Sequence, residues 1–191
     1  TGGMDQAVSL LATAGHALLI DTHSGDTRQV PFAPAEAGLA VLVIDTKVRH
    51  ALADGQYGKR RAAVEEAVAR IGSLRDADLA AVATLPPQIR PRARHVVTEI
   101  ARVQEAVALL EAGRLAEIGP LLDASHASLA GDFEVSSPEL NLAVETARVA
   151  GALGARMVGG GFGGSAIALT PLDRVDAVSH AVRAAFAASG L

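Results

Sequence analysis

The 191-residue chain contains no cysteine and no tryptophan, a single tyrosine and two methionines, and aromatic residues make up only 3% of it. Without cysteine there is neither a disulfide framework nor a thiolate zinc site. With so few aromatic rings, the core has to be built from alanine, valine and leucine. Cations are also few in kind, Lys47 and Lys59 being the only lysines. The net charge is −4 and the isoelectric point about 5.8, which argues against a nucleic-acid partner, because binding a phosphate backbone needs clustered positive charge. The longest uncharged stretch, Met157 to Leu172, holds five glycines and a proline and falls short of the roughly 20 apolar residues of a membrane span. No basic-then-apolar leader opens the chain. A cytoplasmic protein without a membrane partner is the expectation. Thr1 stands directly before a glycine pair and a helical pattern, which predicts a piece of a longer protein.

Half of the residues are apolar and the mean hydropathy is +0.30, enough for a sizeable core. Met4, Val8 and Leu11 predict a helix over 4–14 that Gly15 ends. The apolar run His16 to Asp21, a turn at Ser24-Gly25-Asp26 and a weaker run Arg28 to Phe32 predict two strands. Pro31, Pro34 and Gly38 mark a boundary near 33–38. Leu39 to Ile44, six apolar residues in succession, predicts a strand covered on both faces in the middle of a sheet. A loop at Asp54-Gly55 then leads into a helix with Val64, Val68 and Ile71 on one face and Gly72 as its stop.

A short helix over 76–83 follows. The spacing of Val96, Ile100, Val103, Val107 and Leu110, closed by Gly113, predicts one long helix, and Leu115, Ile118, Leu122, Ser125 and Leu129 predict a second, antiparallel to it. Pro138 opens a helix over 139–150. Strands at 155–158 and 165–170 and a helix over 173–188 complete an α+β fold.

The densest local signal is Gly159-Gly160-Gly161-Phe162-Gly163-Gly164. It satisfies G-x-G-x-x-G, but an apolar run that reads as strand follows it where a dinucleotide fingerprint requires a helix. No Gly-Lys-Ser/Thr follows, so it is not a Walker loop either. Two readings remain, a strand-to-strand turn with a bulge and a loop whose backbone N–H groups face an anion. Asp5, after Gly2-Gly3-Met4, is either a helix-terminal carboxylate favoured by the helix dipole or a carboxylate held against a ligand hydroxyl.

The cluster Lys47, Arg49, His50, Asp54, Tyr57, Lys59, Arg60 and Arg61 is either a solvated helix entry, with Arg61 pairing Glu65, or a functional loop. None of the six histidines has zinc-ligand spacing, so most of them are expected to be structural. Asp132, Glu134 and Glu139 fit solvated carboxylates or caps better than metal ligands.

Five blocks, GGMDQAVSLLATAGHALLID (2–21), VLVIDTKVRHALADGQYGKRR (41–61), RARHVVTEI (92–100), SHASLAGDFEVSSPEL (125–140) and ARMVGGGFGGSAIAL (155–169), in this order, make the chain resemble the second half of the galactokinases, within the GHMP small-molecule kinases. That resemblance implies a two-domain fold, with residues 1–34 the end of an N-terminal domain and 35–191 a ferredoxin-like C-terminal domain. It implies ATP- and Mg2+-dependent phosphorylation of the anomeric hydroxyl of galactose. Asp5 matches the catalytic aspartate, which serves as base or orienting charge. Gly2 and Tyr57 match sugar-contacting residues, and Gly159, Gly160, Gly161, Gly163 and Gly164 match the glycine loop that supports the phosphate-binding loop.

The family's N-terminal half, with its sugar-recognition segment, catalytic arginine and serine-rich phosphate loop, is absent from this sequence, as is the family's final strand. The chain alone is therefore expected to be inactive, and the whole protein to be a monomer. Ser137 and Asn141 stand where relatives often carry Cys and Asp, a change expected to affect packing only. A non-catalytic sugar- and ATP-responsive regulator, and a kinase for N-acetylgalactosamine or a related sugar, are the alternatives.

Overall fold

In the computed structural model, residues 3–49 and 53–190 are described, and of Arg49, Ala53 and Asp54 only the backbone. The elements run α1 (Met4–Leu11), β1 (His16–Ile20), β2 (Thr27–Pro31), β3 (Leu39–Arg49), α2 (Ala53–Ile71), α3 (Leu79–Ala83), α4 (Arg90–Glu111), α5 (Gly119–Ser128), α6 (Pro138–Val149), β4 (Gly154–Val158), β5 (Gly163–Pro171) and α7 (Val175–Ala188). Helices and antiparallel sheets are mixed in one chain, the α+β class expected from the sequence.

β1 and β2 form an antiparallel hairpin with His16 opposite Pro31 and Ile20 opposite Thr27. The second sheet has the order β3-β5-β4, all antiparallel. Its central strand is β5, not β3. Along β3, Val41 and Val43 face outward, Val43 with 70% of its surface exposed. The six-residue apolar run suggests cover on both faces, but Leu42 and Ile44 join the core on one face and on the other only Leu39 is buried. β5 is the strand enclosed on both sides: Ala166 and Ala168 meet one core cluster and Leu169 another.

The first cluster joins Leu140, Ala143, Val144 and Ala147 of α6 and Val178 and Val182 of α7 to Ala155, Met157, Ala166 and Ala168 of the sheet. Alanines at the contact positions let the helices lie close to the strands, which offsets the scarcity of large side chains. On the other side, Val30 of the hairpin, Leu39, Leu110, Leu115, Ile118 and Leu169 pack together. A third cluster, including Ala67, Leu74, Val82, Leu85 and Ala93, holds α2, α3 and α4 to one another.

Several local expectations change. α2 begins at Ala53, so Asp54-Gly55 lies inside the helix and not in a loop; its buried contact is Ala67, while Val68 is exposed. The helix expected after Gly113 is broken into a 3-10 turn (Leu115–Ile118), α5 and a π-type turn (Leu129–Phe133). No residue of α1 is buried: the Met4, Val8 and Leu11 stripe faces outward, and Leu10 is 82% exposed. α6 begins as expected at Pro138, with Ser137 as its N-cap accepting from Leu140 N at 3.3 Å. Among the described residues no helix is long and apolar enough to cross a membrane.

Candidate functional site

The glycine-rich segment is a strand-to-strand connection. β4 ends at Val158 and β5 resumes at Gly163, which removes the dinucleotide reading for the reason the sequence suggested. Gly159, Gly161, Gly163 and Gly164 all have positive φ, and so does Phe162 at 58°, a strained value for a ring-bearing residue. The strain is held from outside. Phe162 N donates to Val135 O at 2.7 Å, and a Cβ built on Gly161 would overlap that same carbonyl. Gly161 is thus needed for contact with the protein's own backbone. Gly159, Gly160 and Gly164 have open space where a Cβ would stand, so the backbone there is accessible to a ligand.

The other flank of the turn is β3. Gly163 pairs with Arg49 across a bulge that starts after Asp45, Lys47 within it has φ 60°, and Thr46 Oγ1 donates to Gly164 O at 2.7 Å. Lys47 turns back to Asp45 at 2.6 Å.

Tyr57 lies on α2, about half exposed, its ring edge-on to Phe133 with centroids 6.4 Å apart at 77°. Phe133 also stacks on His95, 4.7 Å away. Phe133 ends the π-type turn, and Val135, the residue that holds the glycine turn, stands two positions on. The segment 129–135 therefore touches both Tyr57 and the glycine turn.

Charges lock this segment. Glu134, left-handed at φ 55°, takes Arg60 Nη2 at 3.2 Å on its carboxylate and on its carbonyl, and also pairs with Arg92. Arg92 Nη1 donates to Asp132 O at 3.1 Å. Asp132 pairs with Arg94 and accepts from Ser128 Oγ at 3.1 Å, and that hydroxyl meets His95 Nδ1 at 3.0 Å. The Arg94 hydrogen bond outweighs desolvation and lowers the Asp132 carboxyl below its usual range. Burial lowers the His95 imidazole, against the raising effect of Glu99. Glu99 itself is pushed up by burial, yet hydrogen bonds from Ser125 and Arg102 and the charge of Arg156 leave it lowered overall. So Asp132 and Glu134 are arginine partners, where the sequence suggested solvated carboxylates or caps.

Asp5 sits in the first turn of α1, exposed. The N-cap there is Gly3, with no side chain to cap the helix, and the Asp5 carbonyl accepts from Ser9 Oγ at 2.8 Å. With Gln6, Ser9 and Leu10 it lines a shallow open depression. α1 meets the rest of the chain mainly through β1, and Gln29 Nε2 donates to Leu11 O at 2.6 Å. The structure links Tyr57 to the glycine turn, whereas Asp5 stands apart on its own helix. Gly2 and His50 lie outside the described residues.

The residues that sequence reasoning missed are Arg92 and Arg94, and with them the binding role of Arg60. Arg60 follows Tyr57 by three positions and so shares its helix face; that spacing was the available signal. Asn141 is expected to affect packing only, but its Oδ1 accepts from Ser136 Oγ at 2.6 Å.

Residues 106–188 match the family described as GHMP kinases C terminal. The chain is 52% identical over 198 residues to a galactokinase of Streptomyces coelicolor, covering all of this chain and 51% of that protein. It is 48% identical to a galactokinase of Chloroflexus aurantiacus, over 92% of this chain and 47% of that one. Among solved structures, Lactococcus lactis galactokinase complexed with galactose superposes with a TM-score of 0.90 at 34% identity, covering 100% of this chain and 52% of the other. L. major mevalonate kinase in complex with R-mevalonate follows at 0.66 and 26%, over 96% and 49%. The chain spans about half the length of the relatives it matches.

Proposed function

On the footing that this chain carries a GHMP kinase C-terminal domain and is similar along its whole length to half of a galactokinase, we propose that the whole protein phosphorylates galactose. The reading adds that it does so at the anomeric hydroxyl, with ATP as phosphoryl donor. The observation that carries it is the end-to-end similarity to galactokinases together with Asp5, Tyr57 and the glycine turn in this one sequence.

In this reading Asp5 takes or orients the proton of the sugar hydroxyl as its oxygen bonds to the γ-phosphorus and the bond to the ADP leaving group breaks. Positioning and electrostatics supply most of such a reaction, and a base adds roughly 10²–10⁴-fold. Exposure of Asp5 on α1 supports the role, since the described residues leave it open to solvent. Tyr57 contributes a partly exposed ring to the sugar. Gly2 is assigned to the sugar by resemblance alone.

The open backbone at Gly159, Gly160 and Gly164 fits a phosphate-bearing nucleotide near the turn, where N–H groups could meet negative charge. Among the described residues no three His, Asp or Glu side chains converge as metal ligands do, so this reading gives none of them a part in holding Mg2+. Residues 1–34 are read as the end of the N-terminal domain and 35–191 as the C-terminal one. The chain by itself would be inactive.

The test is ATP consumption by the complete protein offered galactose, N-acetylgalactosamine or mevalonate. Turnover with galactose well above the other two supports the proposal. Preference for N-acetylgalactosamine moves the substrate, and nucleotide binding without turnover of any sugar replaces the enzyme with a regulator.

A further inference from the structure

Tyr57 and the glycine turn lie on elements far apart in sequence, and the segment 129–135 is what touches both. That segment is unusual in two ways: it ends a π-type turn, a rare form that often marks functional places, and it continues through a left-handed, non-glycine residue, Glu134. Such a residue persists only where its surroundings hold it. The surroundings here are two guanidinium groups on different helices. The side chains of Arg60 and Arg92 are 16% and 12% exposed, and Arg60 Nε is buried without a hydrogen-bond partner among the described residues. Of the described ion pairs these two have the most buried cations, while the Glu134 side chain they hold is 51% exposed, so the grip is screened from the carboxylate side only.

The geometry points to Glu134 as a positioning residue: gripped by Arg60 of α2 and Arg92 of α4, its carboxylate locks the segment 129–135 between the helix that carries Tyr57 and the glycine turn, so that the two keep one spacing. The chain of contacts is continuous. Arg60 stands three residues after Tyr57 on α2; Phe133, next to Glu134, meets the Tyr57 ring; Val135, on its other side, accepts from Phe162 N. The importance of that spacing for a sugar and a phosphoryl donor rests on the function proposed above, but the clamp itself does not.

Two probes read the clamp without any ligand. Tyr57 is the only tyrosine and tryptophan is absent, so intrinsic fluorescence of this chain reports on Tyr57 alone. Amide exchange at Phe162 reports the bond to Val135, with the Ala168 amide in the middle of β5 as an internal reference for global opening.

In Glu134→Gln and Glu134→Gly the ratio of Phe162 to Ala168 exchange rises at least about tenfold, the size expected for losing charge-assisted bonds, and quenching of Tyr57 by acrylamide increases. The glycine variant adopts the left-handed backbone freely, so its loss is that of the carboxylate. Arg92→Lys, which keeps the charge without the forked donors, gives a smaller rise. Glu65→Gln, which removes only the exposed Arg61 pair on α2, changes neither probe.

Unchanged probes in the Glu134 variants overturn the inference. So does parallel acceleration at Phe162 and Ala168, which would make Glu134 a contributor to global stability only. If the Glu134 variants do not fold, Arg92→Lys decides by the same ratio. In the complete protein, Glu134→Gln raises KM for galactose about fivefold with kcat changed less than about twofold. A clamp seen by both probes but without that KM change would contradict the sugar role of Tyr57 and leave the positioning intact.

Discussion

Gly161 lies directly beneath the carbonyl oxygen of Val135, so close that any Cβ at 161 would overlap it. The glycine-rich segment is thus not uniformly a ligand loop: one of its glycines is reserved for internal packing, and its neighbours stand open.

The two kinds of glycine should respond differently to alanine. Gly161→Ala meets both a backbone clash and a φ of 84°, and is expected to cost about 2–4 kcal/mol. Gly160, with ordinary φ and open space, should tolerate alanine within about 0.5 kcal/mol. Urea denaturation of the two variants against wild type checks the difference; equal losses would contradict the seating of the turn on Val135.

His95 and His126 are both buried, and desolvation lowers both imidazoles below the usual 6.5. Above 6.5 they are neutral folded or unfolded, and their contribution is fully present. As pH falls below 6.5, the unfolded chain binds protons that the folded chain refuses, so stability falls until the lowered folded values are reached. Each histidine contributes a slope of at most about 1.4 kcal/mol per pH unit. Melting temperatures between pH 7.5 and 5 should therefore decline, and less steeply in His95→Asn; an identical slope in that variant would remove His95 from the account.

Ser137 caps α6 through its hydroxyl, so Ser137→Ala should cost about 1 kcal/mol, while Ser137→Asp, which keeps an acceptor, should cost less. Thermal melts of the two variants test this, and equal melting temperatures for Ser137→Ala and wild type would contradict the cap.

Much of this fold could be read from local pattern. The 16–31 hairpin, the start of α6 at Pro138, and the strand-turn-strand nature of 158–163 all follow from short-range signals: apolar runs, a proline, and what comes after the glycines. What escaped depends on partners distant in the chain. The apolar run at 39–44 is compatible with either a central or an edge strand, and the choice is made by β5, more than a hundred residues later. Lys47 gives no hint that it bulges.

The candidate site divides in the same way. Asp5, Tyr57 and the glycines stood out as residue types in a recognisable order. The arginine grip on Glu134 did not, because Arg60, Arg92 and Glu134 each look like ordinary surface charge until three separate elements bring them together.

The most direct test of the whole account is the rate of galactose 1-phosphate formation by the complete protein and by its Asp5→Asn variant, with ATP and Mg2+ supplied. The account predicts galactose-dependent product from the wild type and a loss of about 100-fold or more in the variant, with the melt unchanged because Asp5 is exposed. Product formed equally well by both proteins, or by neither, would contradict it.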